Sequence, residues 1–265
     1  MLWKQRSGGP TRSTENSVKR DRLLIEFRTR HEPAGANPRS TYDLLHAAGK
    51  LEQLDSYYLW ALRKLGVHPG RSLLDVSCGT GRVIDLAMER GIAAFGIDLS
   101  YEAVRCGSSR ANCRFVQGDA QQLPFPNESF DYVLSLGSVE HYERPDLGIA
   151  EIARVVRSDG LVGILVPNAY SLLHTLYVWR HGTAFDDGQP IQRYATRREW
   201  IRLIEANGLE VIATVRHTLP IPSNAQDRLW FLSPPLKLIR LFLANALPID
   251  LTDSFLFIGV KAARR

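Results

Sequence analysis

Cysteine is scarce in this chain: Cys78, Cys106 and Cys113 are the only three among 265 residues, and their spacing is not that of a metal site. A disulfide framework and a cysteine-rich zinc module are thereby excluded, and a reduced, cytoplasmic setting is expected. Long apolar runs are also missing. No stretch approaches the roughly 18 consecutive apolar residues that would cross a bilayer. Residues 1–22 are polar and basic, without the apolar run of a secretory leader. No internal repeat is evident, and most of the chain has no surplus of charge. Eight Lys/Arg against three Asp/Glu in residues 1–30 account for the whole net charge of +5. Residues 1–40 therefore read as a basic arm, either a contact for RNA or an acidic membrane surface, or a solvated flexible tail. What is plentiful is apolar material, 45% of the residues, enough for the core of one domain over residues 41–265 with insertions.

The densest signal is Leu73-Leu74-Asp75-Val76-Ser77-Cys78-Gly79-Thr80-Gly81-Arg82-Val83. An apolar strand enters a glycine turn and a helical stretch follows at once, so free N–H groups and a closely approaching backbone would face one ligand. Gly79 and Gly81 could equally make a plain tight turn. The next strand, Ala93-Ala94-Phe95-Gly96-Ile97, ends in Asp98, placed to receive two ribose hydroxyls. Asp98 could alternatively cap the following helix, although Ser100 is the better cap. The third glycine of a dinucleotide fingerprint is absent, since Ile84 stands there. Asp75 within the first strand would repel a pyrophosphate and suit a cationic sulfonium or ammonium group.

Further blocks follow in order: Val116-Gln117-Gly118-Asp119-Ala120, Leu123-Pro124-Phe125-Pro126, Ser129-Phe130-Asp131-Tyr132-Val133-Leu134-Ser135, and Glu151 to Gly160. With the glycine turn, these resemble the class I S-adenosylmethionine-dependent methyltransferases, in the subgroup that holds ubiquinone and menaquinone methylases. The resemblance is strongest over residues 71–166. It implies a Rossmann-like, doubly wound, seven-stranded α/β sheet whose last strand is antiparallel, and S-adenosylmethionine as cofactor. It also implies that Asp119 and its neighbour hold the adenine. The residues expected around the cofactor are Asp75, Ser77, Cys78, Gly79, Gly81, Asp98, Leu99, Asp119, Ala120 and Leu136.

Alternating apolar runs predict strands near 71–76, 92–97, 113–117, 130–135 and 160–166, with helices near 81–90, 101–110 and 145–157. Apolar residues at helical spacing from Tyr42 to Leu65 predict one long helix ended by Gly66. Residues 168–195 and 218–252 read as helical insertions of lid or substrate-binding type. Between them Thr196-x-x-Glu199 opens a helix and Leu209–Val215 forms the sixth strand. Ser254–Val260 is the last. Pro235 to Pro248 has a broad apolar face, suiting a lid, a dimer contact or a peripheral membrane contact.

The acceptor should lie after the fourth strand, where Val139-Glu140-His141 is similar to the Leu-Glu-His of ubiquinone-type O-methyltransferases. His141 is the candidate general base, a neutral imidazole being suited to removing a hydroxyl proton. The alternative is a loop histidine that only hydrogen-bonds in place. Leu136 and Gly137 stand where some relatives place acids, so no metal is expected. Tyr42, Tyr170, Arg193 and Tyr194 are candidate acceptor contacts. Methyl transfer to a small-molecule or lipid- or sugar-linked acceptor, at oxygen, is the expected activity of a monomer or homodimer. The alternatives are an RNA methyltransferase using the basic arm and a non-catalytic protein that binds the cofactor.

Overall fold

The computed structural model describes residues 25–28, 38–49, 51–109, 114–217, 221–232 and 246–263. In chain order the strands are β1 (Ile25–Arg28), β2 (Ser72–Val76), β3 (Ala93–Asp98), β4 (Phe115–Gln117), β5 (Phe130–Leu136), β6 (Val156–Pro167), β7 (Ile191–Tyr194), β8 (Leu209–His217) and β9 (Ser254–Lys261). The helices are α1 (Pro38–Ala47), α2 (Asp55–Leu65), α3 (Arg82–Met88), α4 (Tyr101–Ser108), α5 (Pro145–Val155), α6 (Leu172–His181), α7 (Arg197–Ala206) and α8 (Ala225–Leu232).

Seven strands form one mixed sheet in the order β4-β3-β2-β5-β6-β9-β8, and β9 runs antiparallel to both β6 and β8. Strands β2 and β5 carry near-continuous apolar runs because both their faces are covered. Leu73 joins the apolar layer of Leu62, Leu65 and Ile84, while its neighbour Leu74 joins the opposite layer of Ile149, Trp200 and Phe257. Trp200 is fully buried and donates from Nε1 to Pro167 O at 2.9 Å, so its one polar atom is satisfied within the core. The chain crosses from one half of the sheet to the other between β2 and β5. That reversal opens a crevice at their carboxyl ends, where ligands of such sheets bind.

Local signals set several boundaries. Ser100 caps α4 by accepting from Ala103 N at 3.1 Å. Thr196 and Glu199 form the expected reciprocal capping box at α7. Gly66 ends α2 at φ 70°, donating to two carbonyls of the last turn.

Three expectations change. The stretch from Tyr42 to Leu65 is two helices, because Gly49 turns left-handed at φ 65° and the chain restarts at Asp55. The break leaves α1 over the amino end of α4, where Asp43 Oδ1 accepts from Ser100 Oγ at 2.6 Å and from Glu102 N at 3.2 Å. The arm boundary at residue 40 also moves. Residues 25–28 form β1, paired antiparallel with β7, and α1 opens at Pro38. Strand β7 itself lies within the first insertion, which was expected to be helical. The rest of the basic arm and nearly all of 235–248 lie outside the described residues.

Candidate active site

The carboxyl ends of β2, β3 and β5, with α1 and the loop before β7, enclose a cavity of about 980 Å³. That is the upper end of the range for small-molecule sites, roughly 300–1,000 Å³.

One half is built by the glycine turn. Gly79 adopts φ 54°, and its N–H donates to Asp98 Oδ2 at 2.8 Å. Ser100 N donates to the other oxygen, Asp98 Oδ1, also at 2.8 Å. Two backbone donors thus fix the carboxylate in place. Each oxygen keeps a further lone pair for a ligand hydroxyl. Burial raises the Asp98 carboxyl, and the two N–H groups and His46 oppose that shift. Gly81 starts α3 at φ 84°. A Cβ there would meet the Phe115 ring at 2.2 Å, so this glycine serves the packing of the turn and does not line the cavity. Gly96 on β3 plays a similar part: a Cβ there would come within 2.6 Å of Cys78 Sγ. Asp75 is 3% exposed and lines the cavity, and no hydrogen bond to its carboxylate occurs among the described residues. Burial, then the nearby Asp98, push its carboxyl well above the usual range. A positive ligand group beside it would oppose that shift. Asp119 accepts from Gln121 N at 2.8 Å at the far wall.

The other half centres on the single 3₁₀ turn Val139–His141 after β5. His141 has a side chain only 7% exposed. Its Nδ1 is within hydrogen-bonding distance of the carbonyl oxygen of Ile191. Since a carbonyl can only accept, Nδ1 carries the hydrogen and Nε2 holds a lone pair. Burial lowers the imidazole below its ordinary value, which keeps it neutral. Glu140 Oε1 stands 3.9 Å from Nε2, and its Oε2 is buried without a hydrogen-bond partner. Burial raises the Glu140 carboxyl to about 8. Hydroxyls join the halves: Ser77, at φ 60°, lies 3.0 Å from the Tyr142 hydroxyl, which donates to Ser138 Oγ at 3.4 Å.

The cavity brings together His141, Tyr42, Asp75, Ser77, Cys78, Gly79, Asp98, Leu99, Asp119, Ala120 and Leu136. Three expected acceptor contacts are not among its lining residues. Arg193 is 3% exposed and sits behind the loop. It pairs with Glu26 at 2.9 Å and donates to the carbonyls of Glu140, Tyr142 and Glu143. Tyr194 packs edge-on against Phe27 and His174, and Tyr170 is 62% exposed on the outer surface. In their place stand residues that sequence reading did not single out: His46, Tyr57, Tyr58, Tyr142 and Asp187. The Tyr57 and Tyr58 positions follow from the helix break, which no local pattern announces. Asp186-Asp187-Gly188 did carry a signal, an Asx-type turn, and Gly188 N indeed donates to Asp186 Oδ1 at 2.8 Å.

Residues 74–164 match the family described as methyltransferase domain. A fatty-acid O-methyltransferase of Mycolicibacterium smegmatis is 38% identical over 96 residues, 34% of this chain and 35% of that protein. A demethylmenaquinone methyltransferase of Staphylococcus aureus is 32% identical over 137 residues, 48% of this chain and 55% of that one. The chain thus spans about a third to a half of the length of these relatives. Among solved structures, the Burkholderia thailandensis 1,6-didemethyltoxoflavin-N1-methyltransferase, holding its substrate and S-adenosylhomocysteine, superposes with a TM-score of 0.58 at 17% identity, covering 90% of this chain and 95% of that one. The strand order, the glycine turn with its acids and the match over residues 74–164 agree, and that stretch carries a methyltransferase domain of Rossmann-like fold.

Proposed function

We propose that this protein transfers a methyl group from S-adenosylmethionine to the hydroxyl oxygen of a small acceptor, free or linked to a lipid or sugar, with His141 as the base. The residues present fit that cofactor. Asp98 offers a fixed carboxylate to a pair of ribose hydroxyls, and Asp119 and Ala120 stand at the adenine end. Asp75 is a buried carboxyl with no hydrogen-bond partner among the described residues, suited to the positive end of the ligand. When bound, the cofactor supplies a methyl already activated on a cationic sulfur. What remains for the protein is to align the acceptor, exclude water and remove one proton.

The observation that carries the reading is His141, a buried imidazole lining the cavity whose Nδ1 hydrogen is fixed by the Ile191 carbonyl, which leaves the lone pair on Nε2. Nε2 takes the hydroxyl proton as the new O–CH₃ bond forms. Tyr42 and Tyr142 keep water from the reacting oxygen. Because the imidazole is held below its ordinary value, activity should rise through an acid limb lying below about pH 6.5 and stay level above it.

The test is label transfer from methyl-labelled S-adenosylmethionine into a fractionated cell extract, with His141→Ala and His141→Gln beside the native protein. Loss of turnover by about 10²–10⁴-fold with cofactor affinity retained supports the base. A loss below about threefold would leave positioning as the whole of the protein's contribution.

A further inference from the structure

The cavity has an uneven charge. Among the described residues, seven of its lining side chains are carboxylic acids and one, Arg82, is an arginine or lysine. Arg82 is already committed: Nε and Nη2 reach the two Asp55 oxygens at 2.6 Å each, and Nη1 lies 3.9 Å from Asp85. Arg193, the cation behind the His141 loop, is tied to Glu26 and three carbonyls. His46 lies on the cofactor side, its ring 3.1 Å from where a Gly79 Cβ would stand.

Of the acids lining the acceptor side, Glu143, Asp186 and Asp187, the last has both oxygens fixed. It is held in the loop before β7 by Gln189, whose N–H donates to Oδ1 at 3.0 Å and whose side-chain amide donates to Oδ2 at 2.8 Å. It shares the cavity lining with Tyr42 and His141, and its charge acts on both and on Glu140 and Tyr194. Polar side chains on the same lining have atoms without a hydrogen-bond partner among the described residues, His141 at Nε2 and Asp75 at the cofactor end among them. Among the described residues, a carboxylate or phosphate on the acceptor would find no uncommitted arginine or lysine on the cavity lining and would face Asp187. A protonated amine would find a fixed carboxylate and the ring of Tyr42.

Resting on the methyl-transfer reading, we propose that the acceptor is a cation, a hydroxyl compound bearing a protonated amine, whose ammonium is held by Asp187 and Tyr42 while its hydroxyl lies at His141 Nε2. Asp187 is then the residue that sets acceptor charge, and acidic lipids and phosphorylated metabolites are excluded as acceptors.

The experiment uses the full chain saturated with S-adenosylhomocysteine. Calorimetric titrations follow with three phenols of one shape: tyramine, 4-ethylphenol and 3-(4-hydroxyphenyl)propionate. Tyramine should bind at least about tenfold tighter than 4-ethylphenol, and the propionate weakest. Asp187→Asn should bring the tyramine advantage close to unity, with S-adenosylhomocysteine affinity unchanged. The advantage should also shrink in the unaltered protein as salt rises to about 1 M, a readout that needs no variant to fold. Equal or tighter binding of the propionate, a preference indifferent to both Asp187→Asn and salt, or no binding of any phenol at about millimolar concentration would overturn the proposal. Failure to bind S-adenosylhomocysteine at the outset would instead strike the cofactor reading.

Discussion

Asp98 shows how much one carboxylate can do when the backbone fixes it. The N–H groups of Gly79 and Ser100 reach opposite oxygens, so the group is oriented before any ligand arrives. Asp98→Ala should weaken S-adenosylhomocysteine binding by about 1–3 kcal/mol, through the loss of charge-assisted hydrogen bonds. Titration of the variant at fixed salt measures this, and unchanged affinity would remove Asp98 from the site. The position of Asp98 was legible because it depends on local pattern alone: a strand of known length, an acid at its end, and Ser100 free to take the cap. The same holds for Gly79 and Gly81, although their duties differ. Gly79 faces the cavity, whereas Gly81 makes room for Phe115, a neighbour 34 residues along the chain that no local pattern could name. Tyr57 and Arg193 were illegible in their roles for that reason. Each is placed by contacts between segments far apart in sequence.

Between β1 and β7 the chain builds a clasp behind the His141 loop. The strand pair is only four residues long, and its use is to bring Arg193 and Glu26 together. The guanidinium then gathers the carbonyls of residues 140, 142 and 143, which hold the 3₁₀ turn that aims His141. Ile191, two residues before Arg193, fixes the imidazole itself. Arg193→Met keeps most of the side-chain volume and removes every one of these donors. Turnover should fall by about 10²-fold, the scale on which a small misplacement of a reacting group acts. The cofactor dissociation constant should change little, since the opposite wall of the cavity binds that end. A matched loss of cofactor affinity would show instead that the clasp supports the whole cavity. A periodic pattern gave the main sheet, but β1 and β7 are too short and too mixed in composition to stand out. Arg193 read as a ligand contact because it lies in the first insertion, where acceptor contacts were expected. The sheet pairing makes it a support for the loop.

For the molecule as a whole, two buried groups on separate elements set opposing dependences of stability on pH. Glu140 has its carboxyl raised from 4.5 to about 8 by burial. Between those values the folded protein holds a proton that the unfolded chain has released, so stability falls as pH rises toward 8. The cost of the charged group reaches at most about 5 kcal/mol above that point. His217 lies on β8 against Tyr57 and Trp60, and burial lowers its imidazole from 6.5 to about 4. Here the unfolded chain binds the extra proton, so stability is lost as pH falls from 6.5 toward 4, by at most about 3 kcal/mol. Between 4.5 and 6.5 the two slopes oppose each other, and this pair contributes a plateau with a limb on either side. Glu140→Gln should therefore raise the midpoint of thermal unfolding at about pH 9 and leave it nearly unchanged at about pH 4.5. His217→Phe, which fills the same aromatic niche without a titrating nitrogen, should flatten the acid limb and spare the alkaline one. Melting curves across about pH 4 to about pH 9 separate the two. A Glu140→Gln variant shifted equally at every pH would mean that residue 140 acts through packing alone. An alkaline limb removed with His141 activity retained would show that the buried acid lowers stability near the base without being needed for proton removal.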